Sequence, residues 1–177
     1  MRKLTKQLAV LAILAAAGLT FGAASAGTMK SSGMMEATYA QREALPVADT
    51  QGHALLLTEA TGVNANTDGS AYLDGFTFSV REIADMTQGN GDTQGYVIFS
   101  KGADQQIVRI NGHVTTVMKD GQPNTTIKGK WKAIKGAGRY EGIEGDGTYS
   151  GYFTAEDKFH VDWKGWNSMA EVVAESK

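Results

Sequence analysis

The sequence predicts a single all-β domain built as a small closed barrel. From Gly52 onward, short runs rich in apolar residues alternate with clusters of Gly, Asn and Asp, the pattern of antiparallel strands joined by tight turns. Seven or eight such runs follow one another without a long helical segment, which leaves a sandwich or a barrel. We favour the barrel, because strands such as residues 145–153 place glycine and aromatic residues on one face, as a narrow interior requires.

Side-chain alternation locates each predicted strand. Phe78 and Val80 share one face of the second strand, and Phe159 and Val161 share one face of the last. After the last strand, residues 169–175 are expected to add a short helix. The predicted strands, in chain order, are 53–61, 72–83, 95–100, 105–118, 125–134, 145–153 and 159–164.

The chain begins with the pattern of a secretory signal peptide. Three basic residues precede an apolar run from Leu8 to Ala17, and small residues then lead to a cleavage site after Ala26. The run is shorter than the roughly 20 residues that cross a bilayer, so no membrane span is expected once residues 1–26 are removed. The protein is therefore predicted to be exported, either to a periplasm or to the medium.

The mature chain divides into a lead-in and a domain. Residues 27–51 show neither helical nor strand periodicity, so we predict a flexible segment. Its methionines, Met29, Met34 and Met35, do not by themselves make a soft-metal site, because such a site needs several converging ligands. Residues 52–177 are predicted to form the barrel domain, which is long enough to bury a core.

Composition excludes several classes of function. Residues 1–26 hold three basic and no acidic residues, so the net charge of −2 becomes −5 after their removal, which argues against nucleic acid and anionic membranes as partners. The chain has no cysteine, so disulfides, iron–sulfur clusters and thiolate zinc sites are ruled out. His53, His113 and His160 are far apart in sequence, without metal-ligand spacing. We expect no metal and no cofactor.

Two groups of polar residues are weak candidates for catalysis. Glu141, Glu144 and Asp146 are close enough in sequence to form an acid and base pair, but a solvated acidic hairpin is the favoured interpretation. His160 precedes Asp162 by two residues on the polar face of a strand, so the carboxylate could orient the imidazole as a general base. His113 has a similar outward position. No nucleophile in a recognisable context accompanies them, which favours hydrated surface.

The most distinctive segment is residues 129–149, where glycines recur around aromatic residues. Gly136 and Gly138 are expected to permit a sharp turn with positive φ, whereas Gly142 and the glycines that follow are expected to permit bulges or close backbone approach. A phosphate-binding loop is the alternative. It is disfavoured because a strand, and not a helix, follows the loop.

Residues 129–149, together with residues 95–107 and 163–166, resemble the allene oxide cyclase-like β-barrels. This family includes plant cyclases, dirigent proteins and bacterial exported proteins, and the sequence is most similar to the bacterial members. The resemblance implies an antiparallel eight-stranded barrel of calycin type, and it implies that homo-oligomers can form, since family members can trimerise. It implies no particular reaction, because no catalytic residue of the family aligns with this sequence position by position.

Trp131, Tyr149 and Trp163 are the candidate ligand-binding residues. Large aromatic side chains either fill a barrel core or line its pocket, and eight strands enclose about enough space for one small ligand. The sequence is compatible with both a filled core and a pocket. The leading hypothesis is a non-enzymatic barrel that binds a small apolar molecule next to these three side chains.

Two other functions are compatible with the same architecture. A cyclase or isomerase acting by substrate confinement needs few catalytic residues, and it predicts a buried acid or histidine that points into the cavity. A structural or interaction module would instead have a filled barrel and use its outer face, or the methionine-bearing lead-in, to bind a partner protein. That function predicts an exposed apolar patch.

Overall fold

Eight antiparallel strands close into a barrel in the computed structural model, which describes residues 27–169. Each strand pairs with the next one in the chain and the first pairs with the last, so no strand edge is left unpaired. The strands are β1 (Thr28–Pro46), β2 (His53–Asn66), β3 (Thr77–Thr87), β4 (Asn90–Lys101), β5 (Asp104–Lys119), β6 (Gln122–Ala137), β7 (Glu144–Ala155) and β8 (Lys158–Ser168). The predicted eight-stranded barrel is confirmed. The predicted signal peptide, and the predicted helix beyond Met169, lie outside the described residues.

The prediction of a flexible lead-in over residues 27–51 was wrong for most of that segment. Residues 28–46 form β1, the longest strand, which pairs with both β2 and β8. Its inward positions hold small residues such as Ser31, Gly33 and Ala37, so the strand lacks the apolar alternation that marks the others. Gly33 is required there because a Cβ atom would overlap the Trp163 ring.

The predicted boundaries between the first two strands of the domain also shift. β2 continues through Gly62 to Asn66, although the predicted strand ends at Thr61, and β3 begins only at Thr77. Asn64 is fully buried, and its Nδ2 donates to the Leu73 carbonyl at 2.9 Å. The polar residues at the end of β2 therefore hold the following connection against the barrel. In the sequence alone, these same residues have the composition of a turn.

The barrel interior is built by aromatic rings that lie against glycine backbone. Trp131 lies over Gly147 on β7 and Gly165 on β8, and a Cβ at Gly147 would be 2.6 Å from Trp131 Nε1. Tyr149 lies over Gly129 in the same manner. The faces predicted for β3 (Phe78 and Val80), for β7 (glycine and aromatic residues) and for β8 (Phe159 and Val161) point into the barrel. The buried apolar core comprises Met35, Ala37, Ala60, Phe78, Val80, Val97, Phe99, Val108, Ile110, Trp131, Tyr149, Val161 and Trp163, with further side chains from the connections.

One end of the barrel is plugged. Residues 67–76, which connect β2 to β3, insert Tyr72 and Leu73, and the 3₁₀ turn Gly138–Tyr140 between β6 and β7 adds Tyr140. Tyr140 Oη accepts a hydrogen bond from the Leu73 backbone N–H at 3.1 Å. The opposite end, where the hairpins β1–β2, β3–β4, β5–β6 and β7–β8 turn, is called the hairpin end below.

The glycine-rich segment around residues 136–142 forms part of this plug. It does not form a phosphate-binding loop. Gly138 and Gly142 have positive φ angles of 63° and 70°. The prediction of positive φ at Gly136 was wrong: this glycine instead allows a close approach, because a Cβ atom there would overlap the Tyr140 carbonyl. Strands stand on both sides of the turn, so the structural interpretation of this segment holds.

We expect β1 to be necessary for the fold, and two adjacent substitutions test this. Ala37 is 3% exposed and faces the interior, whereas Thr38 faces solvent. Ala37→Asp buries an unpaired carboxylate and should lower the free energy of unfolding by at least about 3 kcal/mol. Thr38→Asp should change it by less than about 0.5 kcal/mol.

Urea denaturation of both variants measures the difference. Equal tolerance of the two substitutions would contradict the placement of residues 28–46 in the barrel wall.

Candidate functional site

A cavity of about 60 Å³ remains in the barrel interior. The three residues predicted to contact a ligand, Trp131, Tyr149 and Trp163, all line it. Most of its wall is apolar, with Val80, Val97, Phe99, Val108, Ile110, Ile127, Phe159 and Val161 among the lining residues. The interior is thus largely filled, with space for a molecule of a few heavy atoms or about two waters.

Glu82 brings a carboxyl group to this apolar cavity. It follows Phe78 and Val80 at the next inward position of β3, and its side chain lines the cavity. Glu82 as a residue is partly exposed, but its Oε1 atom is buried without a hydrogen-bond partner. Burial raises the pKa of this carboxyl above its ordinary value.

A row of glycines allows the Tyr149 side chain to extend along the inner face of the barrel wall toward Glu82. Thr93 on β4 pairs with Gly112 on β5, Gly112 pairs with Gly129 on β6, and Gly129 pairs with Tyr149 on β7. The two intervening positions have no side chains, so the ring crosses β6 and places Oη above Gly112. A Cβ atom at Gly112 would overlap this hydroxyl.

The polar groups at the end of this row are close but not hydrogen-bonded. Burial, and secondarily the charge of Glu82, raise the pKa of Tyr149. Thr93 lies near enough to lower the pKa values of both groups, yet its Oγ1 makes no hydrogen bond. Burial also raises the pKa of Tyr39 to about 12, again with a contribution from Glu82.

Five buried side-chain atoms in this region have no hydrogen-bond partner. They are Glu82 Oε1, Thr93 Oγ1, Gln106 Nε2, Trp131 Nε1 and Tyr149 Oη. Four of the five residues line the cavity, and Thr93 adjoins it. Because buried polar atoms are normally hydrogen-bonded, such a group marks a place where water or a ligand would bind.

At the plugged end, by contrast, most of the buried polar groups are hydrogen-bonded to one another, with Gln106 Nε2 as an exception. Trp163 Nε1 donates to Asn64 Oδ1 at 2.7 Å, and Asn167 Nδ2 donates to Ser31 Oγ. Tyr72 Oη lies 2.6 Å from Asn167 Oδ1. Of the two indoles beside the cavity, only that of Trp131 therefore has an unpartnered N–H.

The polar candidates chosen from the sequence lie outside the barrel. Glu141, Glu144 and Asp146 are exposed. His160 faces outward, with Nδ1 at 2.5 Å from Glu36 Oε1 and Nε2 at 3.1 Å from Asp162 Oδ1. The predicted contact between His160 and Asp162 is present, but it lies on the opposite side of the wall from the cavity.

Two outward histidines are each held between two carboxylates. His53 Nδ1 lies 2.5 Å from Asp49, and its Nε2 lies 2.7 Å from Asp85, in an arrangement like that of His160. Both ring nitrogens must donate in such an arrangement, which requires the imidazolium. The hydrogen bonds from Asp49 and Asp85 raise the pKa of His53, and the hydrogen bond from Glu36 raises that of His160.

An apolar patch lies on the outer face of the first three strands. Leu45, Leu55, Leu57 and Ile83 occupy neighbouring positions in the cross-strand register and are between 44% and 67% exposed. A patch of this kind is typical of interaction surfaces. It is separate from the cavity, since its side chains point away from the interior.

Glu82 and Thr93 were missed by the sequence analysis. Glu82 continues the alternation that begins at Phe78, so its inward position was deducible, and a charged residue at such a position is the signal that could have found it. Thr93 lies before Gly95, where the predicted third strand begins, whereas β4 begins at Asn90. No sequence pattern shows that the Tyr149 side chain extends over β6 and β5 and so approaches Glu82 and Thr93.

The chain matches no protein-family model, and no curated protein matches it significantly. The resemblance to allene oxide cyclase-like barrels therefore stays a prediction, whereas the barrel itself is observed. No helix within residues 27–169 is long and apolar enough to cross a membrane.

Because His53 and His160 are each held between two carboxylates, we expect the stability of the protein to fall as pH rises. Their folded-state pKa values are raised, so their contribution to stability is complete below about pH 6.5 and is lost as pH rises through the folded-state values. Thermal unfolding between pH 5.5 and 9 should show this loss for the natural protein.

The double variant His53→Asn/His160→Asn should lack this component, so its melting temperature should vary less over that range. Thr148→Asn, an outward substitution on β7, controls for the introduced amide. Identical pH profiles for all three proteins would contradict the assignment.

Proposed function

We propose that this protein is an exported barrel that binds a small, mostly apolar molecule in its interior. The observation that carries the proposal is the unfilled cavity, which is lined by apolar side chains yet contains unpartnered polar atoms. Protein interiors are normally close-packed, and their buried polar groups are normally bonded. A space that departs from both rules is best explained by a ligand that completes it.

The size of the cavity limits the ligand. Pockets for drug-sized molecules measure about 300–1,000 Å³, far more than the 60 Å³ found here. The ligand is therefore compact, or it displaces side chains at the hairpin end. Ile127 and Phe159 line that side of the cavity and are only half-buried, so they are the side chains that would rotate.

The small cavity and the unpartnered polar atoms beside it favour ligand binding over an interaction module with a completely filled barrel. The outer patch of Leu45, Leu55, Leu57 and Ile83 fits a protein partner, but such a role does not account for the buried unpartnered atoms inside. Apolar burial contributes about 25 cal/mol per Å², so the cavity wall favours a ligand with hydrocarbon surface.

Filling the cavity should weaken ligand binding without unfolding the barrel. The double variant Val97→Ile/Val108→Ile adds two methyl groups to the lining and keeps β-branched side chains in the strands. Affinity for 2-butanone, followed by Trp fluorescence or by NMR titration, should fall at least about tenfold, because the added methyl groups occupy the space that the ligand needs.

Val63→Ile/Val117→Ile is the matched control, since both of these valines are exposed on the barrel's outer face. Native mass spectrometry of protein from its own exported compartment adds an independent test, by comparing the intact mass with that of residues 27–177. A bare polypeptide mass, together with no 2-butanone binding, would contradict the proposal.

Glu82 supports a second candidate, an isomerase or cyclase that confines its substrate. A carboxyl with a raised pKa beside an apolar cavity is suited to proton transfer near neutral pH. In such a reaction the Glu82 carboxylate would take a proton from carbon next to a carbonyl, and the resulting acid would return it.

Exchange of the α-protons of 2-butanone in D₂O, followed by NMR, tests this second function. The natural protein should accelerate exchange, and Glu82→Gln should reduce the rate at least about 100-fold, the usual contribution of a general base. Glu144→Gln, which changes an exposed carboxyl, should leave the rate unchanged. Binding without exchange would leave the protein a binder only.

A further inference from the structure

We propose that the ligand carries a carbonyl oxygen and that Glu82 and Tyr149 bind this oxygen together, each as a hydrogen-bond donor. The inference rests on the proposed function, since it names the chemical class of ligand for the same cavity. It comes from two unpartnered oxygens, Glu82 Oε1 and Tyr149 Oη, that belong to side chains lining one small apolar space.

The glycine row explains why the two groups face the same space. Glu82 stands on β3 and Tyr149 on β7, four strands further along the barrel wall. Without Gly112 and Gly129, the Tyr149 ring would have to stand away from the wall and its hydroxyl would not approach β4. This geometry is specific to a phenol, whose length spans the two empty positions.

Both groups can donate a hydrogen bond in their protonated forms. Burial raises the pKa of Glu82 and that of Tyr149, which favours the protonated carboxyl and the protonated phenol. A neutral carboxyl has one O–H to donate, and so does a phenol. Two O–H donors that line one apolar cavity suit an oxygen that accepts two hydrogen bonds, which is what a ketone or aldehyde offers.

The surrounding groups do not provide a compensating charge. Tyr39 on β1 is neutral, since its pKa is about 12, and Thr93 on β4 is not ionisable. Arg42 on β1 holds its guanidinium over the Tyr39 ring at 4.8 Å and donates to the Glu156 carbonyl at 3.1 Å. A cationic ligand would require an ionised Glu82 in a poorly solvated place, where an ion pair gains little.

The wall beyond the donors defines the rest of the ligand. Val97, Val108 and Ile110 are buried aliphatic residues on β4 and β5, and Trp131 contributes its indole ring and one unpartnered N–H. A short aliphatic ketone, or an aldehyde of similar size, matches this combination. A carboxylate ligand is disfavoured, because its charge would face the Glu82 carboxyl group with no cation beside it.

Two probes of equal size separate this inference from the proposed function. The ketone 2-butanone and the alkene 2-methyl-1-butene have the same heavy-atom skeleton, and only the ketone accepts hydrogen bonds. We expect the ketone to bind at least about tenfold more tightly, because the alkene would leave both donors unpartnered. The carbonyl stretching frequency of bound 2-butanone should fall relative to its value in hexane.

Three variants identify the donors. Tyr149→Phe should remove most of the ketone preference and reduce the infrared shift while leaving the affinity for the alkene unchanged. Glu82→Gln retains an N–H donor, so it should keep the preference for the ketone. In the natural protein, ionisation of Glu82 at high pH should lower the affinity for the ketone, and Glu82→Gln should remove this pH dependence. Tyr96→Phe, on the outer face, is the matched control and should behave as the natural protein.

The outcomes are distinct. Equal binding of ketone and alkene would overturn the carbonyl assignment and leave the proposed apolar site standing. Tighter binding of n-butylamine than of 2-butanone would also overturn it, since it would show that Glu82 binds as a carboxylate. Failure of all three probes to bind would contradict the proposed function itself.

Discussion

Contact between aromatic rings and bare backbone is the constraint on which this barrel depends. A closed sheet of eight strands leaves a narrow interior, and a ring as large as that of Trp131 fits only where the opposing strands have no side chain. Gly147 and Gly165 provide that space for Trp131, and Gly33 provides it for Trp163. The glycines are thus part of the core, although they contribute no apolar side chain themselves.

The same packing determines where the cavity lies. Rings that lie flat against the wall fill the layer next to it, and the centre is filled only where side chains from opposite strands meet. At the plugged end, Tyr72, Leu73 and Tyr140 complete the filling from the connections. Within residues 27–169 no connection enters from the hairpin end, so space remains there beside Glu82 and the Tyr149 hydroxyl.

The polar groups around this space destabilise the fold unless something binds them. The plugged end shows that the barrel can satisfy buried polar atoms, since Asn64, Trp163 and Asn167 are all hydrogen-bonded. Glu82 and Tyr149 are not, and each unpaired buried group costs about 1–3 kcal/mol. Local departures of this kind are expected at functional sites, where the chain gives up stability for binding.

The sequence by itself determined the all-β class, the inward faces of most strands and the aromatic lining of the site, including Trp131 and Tyr149. These follow from alternation, which depends only on neighbouring residues. Closure by β1 and the approach of Tyr149 to Glu82 were decided by the tertiary structure. Small inward residues carry no apolar signal, and groups on strands far apart in sequence meet only when cross-strand register aligns the glycines between them.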